Sequence, residues 1–188
     1  MATLEPQIAP FPDDVARILE RYPQQNGYLL ALFRTFANSR RFLEKGVANL
    51  LDRESPLSLR QREIVILRVT ARLDCEYEWG VHVGVFAQAA RLTDEQINAT
   101  RNGAADAACW SAEERLLLRV VDDVCSQGRV GDGALAEFEA TWTLEQQLEI
   151  LALCGNYHTV AFVANTARLA PEAFGARFSE SRGPERRD

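Results

Sequence analysis

The sequence predicts an all-α, single-domain helical bundle, and three observations carry that expectation. Four Ser/Thr-x-x-Gln/Glu signatures recur, at Ser58 and Gln61, Thr93 and Gln96, Ser111 and Glu114, and Thr143 and Gln146, each ahead of an apolar run. In such a capping box the first and fourth side chains satisfy each other's otherwise orphaned backbone amides. Apolar residues then recur at helical spacing from about residue 13 to 168, with no stretch that alternates like a strand. Finally, 7 prolines and 11 glycines in 188 residues are too few for the turns of a sandwich or barrel.

The implied helices cover 13–21, 26–37, 40–52, 59–72, 75–90, 94–101, 112–127, 132–140 and 144–168. Gly103, Gly128, Gly131 and Pro171 fall between or after them, where helices break. Residues 1–12, with Pro6, Pro10 and Pro12, read as an extended arm; 13–178 form the domain; 179–188 are polar and read as a frayed tail.

Composition narrows the function. With 47% hydrophobic and 26% charged residues the chain reads as a soluble globular protein, and its length supports a full core. A net charge of −6 argues against nucleic acid as a partner, since phosphate backbones would be repelled. Met1–Phe11 lacks the basic and apolar regions of a secretory signal, and no apolar stretch reaches the roughly 20 residues a membrane span needs. A cytoplasmic protein is expected. The cysteines, Cys75, Cys109, Cys125 and Cys154, form no CxxC pair, and only two histidines accompany them. A zinc site is not expected, and the default for each thiol is a small buried hydrophobe.

Two helical segments are apolar nearly all round: Ile64–Leu67 with Val69, and Ile150–Leu153. Such helices lie at the centre of a bundle or in a subunit interface. They also echo each other faintly, Glu63-Ile-Val-Ile-Leu against Glu149-Ile-Leu-Ala-Leu, with His82 and Phe86 matched by His158 and Phe162.

The chemistry-bearing segment is Asp74-Cys-Glu-Tyr-Glu-Trp-Gly-Val-His82. On a helix Cys75, Glu78, Trp79 and His82 share one stripe, with Glu78 and His82 one turn apart. A carboxylate there can fix the imidazole's tautomer and raise its pKa, as a general base or proton donor requires. The plainer reading is an exposed ion pair. Glu63 heads the most apolar helix, where it is either functional or a first-turn acid complementing the helix dipole. Arg68, in the same run, calls for a structural ion-pair partner. Tyr77, Trp79, Tyr157 and His158 are candidates for a substrate pocket, against the commoner role of core residues.

At these residues the chain resembles the carboxymuconolactone decarboxylase and alkylhydroperoxidase D superfamily. The resemblance rests on Pro56-Leu-Ser-Leu-Arg-Gln-Arg-Glu63-Ile-Val-Ile-Leu-Arg68 followed by Glu76-Tyr-Glu-Trp-x-x-His82, and extends over about residues 28–172. It implies a bundle of the alkylhydroperoxidase D-like type and catalytic roles for Glu63, Glu78, His82 and Cys75. The peroxidase branch places a glutamate, Cys-x-x-Cys and a histidine at positions matching Glu63, Cys75, Glu78 and His82, so the second cysteine is here Glu78. A thiol peroxidase of that kind needs both sulfurs. The decarboxylase branch implies a cofactor-free lyase of aromatic-acid catabolism acting on a small carboxylated lactone, and a homo-oligomer, trimer or hexamer before dimer. Two alternatives stand beside it: an antioxidant enzyme using Cys75, and a non-enzymatic ligand-binding oligomer.

One geometric expectation follows. An antiparallel helix pair turning near Arg72–Asp74 sets residues 63 and 82 at similar heights, given a rise of 1.5 Å per residue. Glu63 is then expected within hydrogen-bond reach of His82 or of a ligand beside it.

Overall fold

A computed structural model describes residues 4–178. Its helices are α1 (Asp13–Leu19), α2 (Ala31–Phe36), α3 (Arg40–Lys45), α4 (Leu59–Arg72), α5 (Glu76–Phe86), α6 (Asp94–Asn102), α7 (Ala112–Gln127), α8 (Asp132–Thr141) and α9 (Leu144–Thr166). All four capping boxes form, with Ser58, Thr93, Ser111 and Thr143 as N-caps of α4, α6, α7 and α9. Residues 4–12 carry no helix or strand. The expected tail at 179–188 lies outside the described residues.

Helix α4 is the axle. Ile64, Val65, Ile66, Leu67 and Val69 are fully buried, because α5, α6, α7 and α9 surround it. A helix without a polar face belongs at such a centre. Arg68 enters the core with its partner: Nε and Nη2 donate to Asp122 Oδ1 and Oδ2, each at 2.7 Å, while Nη1 donates to the Thr100 and Gly103 carbonyls. No helix among the described residues is long and apolar enough to cross a membrane.

Three expectations are corrected. The helix expected over 26–37 begins only at Ala31, because Asn26 and Gly27, with φ of 51° and 79°, turn a two-residue hairpin pairing β1 (Gln24–Gln25) with β2 (Tyr28–Leu29). Asn-Gly suits the left-handed dihedrals of that turn, so a small strand pair stands where none was expected. The helix expected over 40–52 stops at Lys45. The carbonyls beyond it are claimed from outside, Ala48 by Asn156 and Asp52 by Arg62. Helix α5 ends at Phe86 rather than 90, and the Ala90 and Arg91 carbonyls accept from Arg60.

After α9 the chain returns across α5. Ala176 N–H donates to the Gly80 carbonyl, Phe178 N–H to Glu76 Oε1, and Phe178 lies against Trp79. Gly80 and Gly84, one turn apart, make the groove: a Cβ at 84 would come within 2.6 Å of the Phe174 carbonyl, and one at 80 would meet that of Ala176. Glu172 anchors this strap, accepting from Tyr77 Oη at 2.6 Å and from Ala31 N–H at 2.9 Å.

Candidate active site

The reversal between α4 and α5 builds the site. Leu73 closes α4, Asp74 takes a left-handed φ of 52°, and Cys75 N–H returns to the Thr70 carbonyl. Arg101 braces the corner through Asp74 and the Ala71 carbonyl. The two helices then run back antiparallel, and Glu63 meets His82: Nδ1–H donates to Glu63 Oε2 at 2.8 Å.

Glu78, one turn before His82, brings Oε1 within 3.3 Å of the other ring nitrogen, Nε2. Tyr157 on α9 stands closer, its hydroxyl 3.0 Å from Nε2. Glu63 is 1% exposed and His82 3%, and Glu78 and Tyr157 are buried as well. Two carboxylates thus flank one imidazole in the core. Burial pulls the imidazole pKa down, but Glu63 and then Glu78 outweigh it and raise it to about 10. That shift favours the imidazolium, whose Nδ1–H faces Glu63 Oε2 and whose Nε2–H lies between Glu78 Oε1 and the Tyr157 hydroxyl. Burial raises the Tyr157 phenol well above its ordinary value, and Glu78 and Glu63 add to the effect. The phenol keeps its proton.

Beside this cluster lies a cavity of about 470 Å³ between the α1–α3 region and α9, walled by Leu32, Phe33, Phe36, Val47, Leu153 and Tyr157. Its size and largely apolar wall suit a small organic molecule. Arg21, Glu44 and Asn156 supply polar groups. Tyr157 belongs to both: its side chain borders the cavity, and its hydroxyl touches His82. Glu63 Oε1, Glu78 Oε2 and Arg62 Nε are buried with no hydrogen-bond partner in the protein, so two carboxylate oxygens and one guanidinium N–H remain open to further partners.

The structure thus gathers Glu63, Glu78, His82 and Tyr157, and separates the other candidates. Cys75 is fully buried at the start of α5, and burial outweighs a hydrogen bond from the Glu78 backbone to push its thiol up to about 12. It is not the low-pKa, accessible thiol a nucleophile requires. Tyr77 is spent on Glu172 and the Leu32 amide, and Trp79 on Thr100 Oγ1 at 3.0 Å and on Phe178. Neither borders the cavity. His158 also lies outside it, half-buried, its Nδ1 2.8 Å from the Cys154 carbonyl one turn back.

Sequence reasoning quoted Arg62 in the motif but gave it no role, and took Tyr157 only for a pocket wall. The signal for Tyr157 was present. Ile150, Leu153, Tyr157, Val160 and Ala164 form the buried stripe of α9, which turns Tyr157 inward and His158 away.

Comparison with known proteins agrees with this architecture. The sequence profile of the carboxymuconolactone decarboxylase family matches residues 39–123, a stretch holding Glu63, Glu78 and His82. No curated protein matches the chain. Among solved structures, a peroxidase-related protein from Silicibacter sp. superposes with a TM-score of 0.73 at 18% identity, covering 88% of each chain. A protein of unknown function from Agrobacterium tumefaciens, provisionally ascribed to antioxidant defence, gives a TM-score of 0.58 at 19% identity, covering 74% of this chain and 90% of that one. At these identities the likeness is one of fold.

Proposed function

We propose that this chain, whose residues 39–123 match the carboxymuconolactone decarboxylase family, is a cofactor-free acid–base lyase acting on a small carboxylated lactone. The observation that carries this reading is the position of Tyr157, between His82 and the cavity.

In decarboxylation the bond to the carboxylate carbon breaks, and its electron pair moves into the lactone carbonyl. The resulting enolate needs a proton. Tyr157 borders the cavity and its hydroxyl lies 3.0 Å from His82 Nε2, so the phenol can relay a proton from the ring to a molecule bound there. A neutral phenol held in a buried site can hydrogen-bond a developing oxyanion and pass it a proton as its charge builds. Once Tyr157 has given its proton, His82 replaces it, and Glu63 and Glu78 hold the ring in place throughout. The sum is one proton consumed and one carbon dioxide released. The buried Cys75 thiol supports the acid–base reading over a thiol peroxidase.

The test is carbon dioxide release from a panel of carboxylated lactones, run beside a hydroperoxide-consumption assay. Release by the native chain that is lost in Tyr157→Phe and kept in Cys75→Ser is expected. Peroxide consumption that vanishes in Cys75→Ser would replace this reading with the thiol enzyme. Saturable lactone binding with no turnover would replace it with a ligand-binding protein.

A further inference from the structure

One wall of the cavity is supplied by neither helix nor strand. Val47, Ala48, Asn49, Leu50 and Leu51 border the space in succession. Ala48, Asn49 and Leu51 are exposed and Val47 and Leu50 half-buried, so one layer of chain stands there between the cavity and solvent. Among the described residues, no backbone–backbone hydrogen bond begins or ends within 47–51. Two side chains hold this stretch from outside. Asn156 Nδ2 donates to the Ala48 carbonyl at 3.0 Å, and Arg62 Nη1 donates to the Leu50 and Asp52 carbonyls at 3.4 and 2.8 Å. We infer that residues 47–51 are the door through which a ligand enters and leaves the cavity, and that Arg62 and Asn156 are the positioning residues that latch it.

Three observations select this stretch over the rest of the wall. The remaining sides are bonded into the fold. Leu32, Phe36, Leu153, Tyr157 and Val160 are buried on α2 and α9, and moving them would break helical turns. The corner at residues 21–23 is tied by the Arg21 and Tyr22 amides to the Ile18 and Leu19 carbonyls, and by Tyr22 Oη to the Leu43 carbonyl. Secondly, the door has fixed ends on which to swing. Gly46 N–H donates to the Phe42 carbonyl at 2.7 Å; beyond the door Ser55 Oγ donates to Glu149 Oε1 at 2.7 Å, and Gln146 Nε2 to the Pro56 carbonyl at 3.1 Å. A segment without ladder or helix bonds, pinned only at its ends, opens far more readily than the fold unfolds. Thirdly, its closed state is favoured. Arg62 is 9% exposed, forms no ion pair among the described residues, and already has an unpartnered Nε. Opening would strip Nη1 of its acceptors as well, and a buried charged donor left without partners draws the door shut again.

The latches also report to the site. Arg62 immediately precedes Glu63 on α4, and Asn156 immediately precedes Tyr157 on α9. Closure therefore presses on the same two helices that hold the proton-carrying groups, as lids that exclude water from a reaction do. The door serves any small ligand of this cavity and does not depend on the proposed reaction.

A thiol placed inside the cavity tests it on the full chain. Leu32→Cys sets one on the inner wall, at a residue 2% exposed. Its reaction with iodoacetamide, followed by mass spectrometry, reads opening of the door. Cys75 and Cys154, fully buried and off the wall, read global unfolding in the same sample. The introduced thiol is expected to react slowly, yet ahead of Cys75 and Cys154. Adding Asn156→Ala or Arg62→Met is expected to speed it at least about fivefold, the equilibrium effect of one hydrogen bond, with Cys75 and Cys154 unchanged. Arg62→Lys, which keeps the charge and a donor, is expected to restore part of the native rate. Asn165→Ala removes a like bond from the same helix to the Leu73 carbonyl, away from the door, and is expected to change nothing. Should Arg62→Met unfold the chain, Asn156→Ala and Arg62→Lys carry the test. Should Leu32→Cys misfold, tryptic cleavage after exposed Arg53, just past the door, replaces the thiol. An introduced thiol that reacts only together with Cys154 overturns the proposal. So does one rate in the native and latch variants, or equal acceleration by Asn165→Ala. No turnover enters these readings, so their failure is separate from any failure of the lyase assay.

Discussion

The hydroxyl of Tyr157 stands 3.0 Å from Nε2 of His82 while its side chain borders the cavity. His82 is nearly sealed from solvent and does not itself border that space. Any proton passing between the imidazole and a molecule in the cavity therefore has a direct path through the phenol. In Tyr157→Phe the turnover number is expected to fall at least about 100-fold, the lower bound for losing a positioned proton donor. Stability should drop by only about 1 kcal/mol, the usual worth of one hydrogen bond. Steady-state rates and urea unfolding on one preparation check both figures; an undiminished rate removes Tyr157 from the chemistry.

The charge on His82 makes the fold itself pH-dependent. Its pKa rises from an ordinary value of 6.5 when unfolded to about 10 when folded, so the folded chain binds this proton more tightly. The resulting stability is complete below about pH 6.5 and is lost as pH rises through about 10. Unfolding free energies from pH 6 to 10 should fall accordingly. In Glu63→Gln the fall should be shallower and His82 should titrate lower, as followed by NMR of the imidazole. Removing a partner from a buried pair also costs about 3 kcal/mol or more. A flat profile in the native chain would falsify the charge assignment.

Arg68 offers a test of the core alone. Its bidentate pair with Asp122 and its bonds to two carbonyls leave nothing to replace it if the guanidinium goes. Arg68→Ala is expected to cost about 3–5 kcal/mol by urea denaturation, the range for breaking a buried ion pair. A loss under 1 kcal/mol would mean that water repairs the gap.

The strap can be loosened from below. Alanine at Gly80 places a methyl group against the Ala176 carbonyl, and at Gly84 within 2.6 Å of the Phe174 carbonyl. Backbone cannot yield there as a flexible side chain would. Both variants should show faster proteolysis within residues 172–178 and altered Trp79 fluorescence, since Phe178 lies on that ring. Native cleavage rates would show that the strap is held elsewhere.

All four cysteines are free, and Cys75 and Cys154 are fully buried. A thiol reagent should label Cys109 and Cys125 in the native chain and reach the other two only on unfolding. Reductant should leave the melting temperature unchanged. Rapid native labelling of Cys75 would reopen the thiol chemistry set aside above.

What the sequence revealed follows the range of the forces concerned. The capping boxes at Ser58, Thr93, Ser111 and Thr143 are local chemistry and were legible from four residues each. The meeting of Glu63 with His82 was legible because an antiparallel helix pair has fixed rise and a single turn. The end of α3 was not: Asn156 and Arg62, 108 and 10 residues from the carbonyls they claim, decide it. The Asn26–Gly27 turn was written plainly and lost to the apolar pattern around it. Tyr157 and His158 are candidates for one pocket by residue type alone, and the buried stripe of α9 is what turns the tyrosine inward and the histidine away.

The strap has a bearing on how the molecule comes into being. Residues 172–178 supply the last cover for α5, the helix carrying Glu78 and His82, and Glu172 ties that cover to Tyr77 and to the start of α2. On the ribosome these residues emerge after α9. Until they do, Gly80 and Gly84 leave a bare furrow along α5 and the phenol of Tyr77 lacks its acceptor. The candidate site is thus finished by a stretch that follows α9, and a nascent chain halted at residue 170 would carry every candidate site residue without the piece that locks their helix in place.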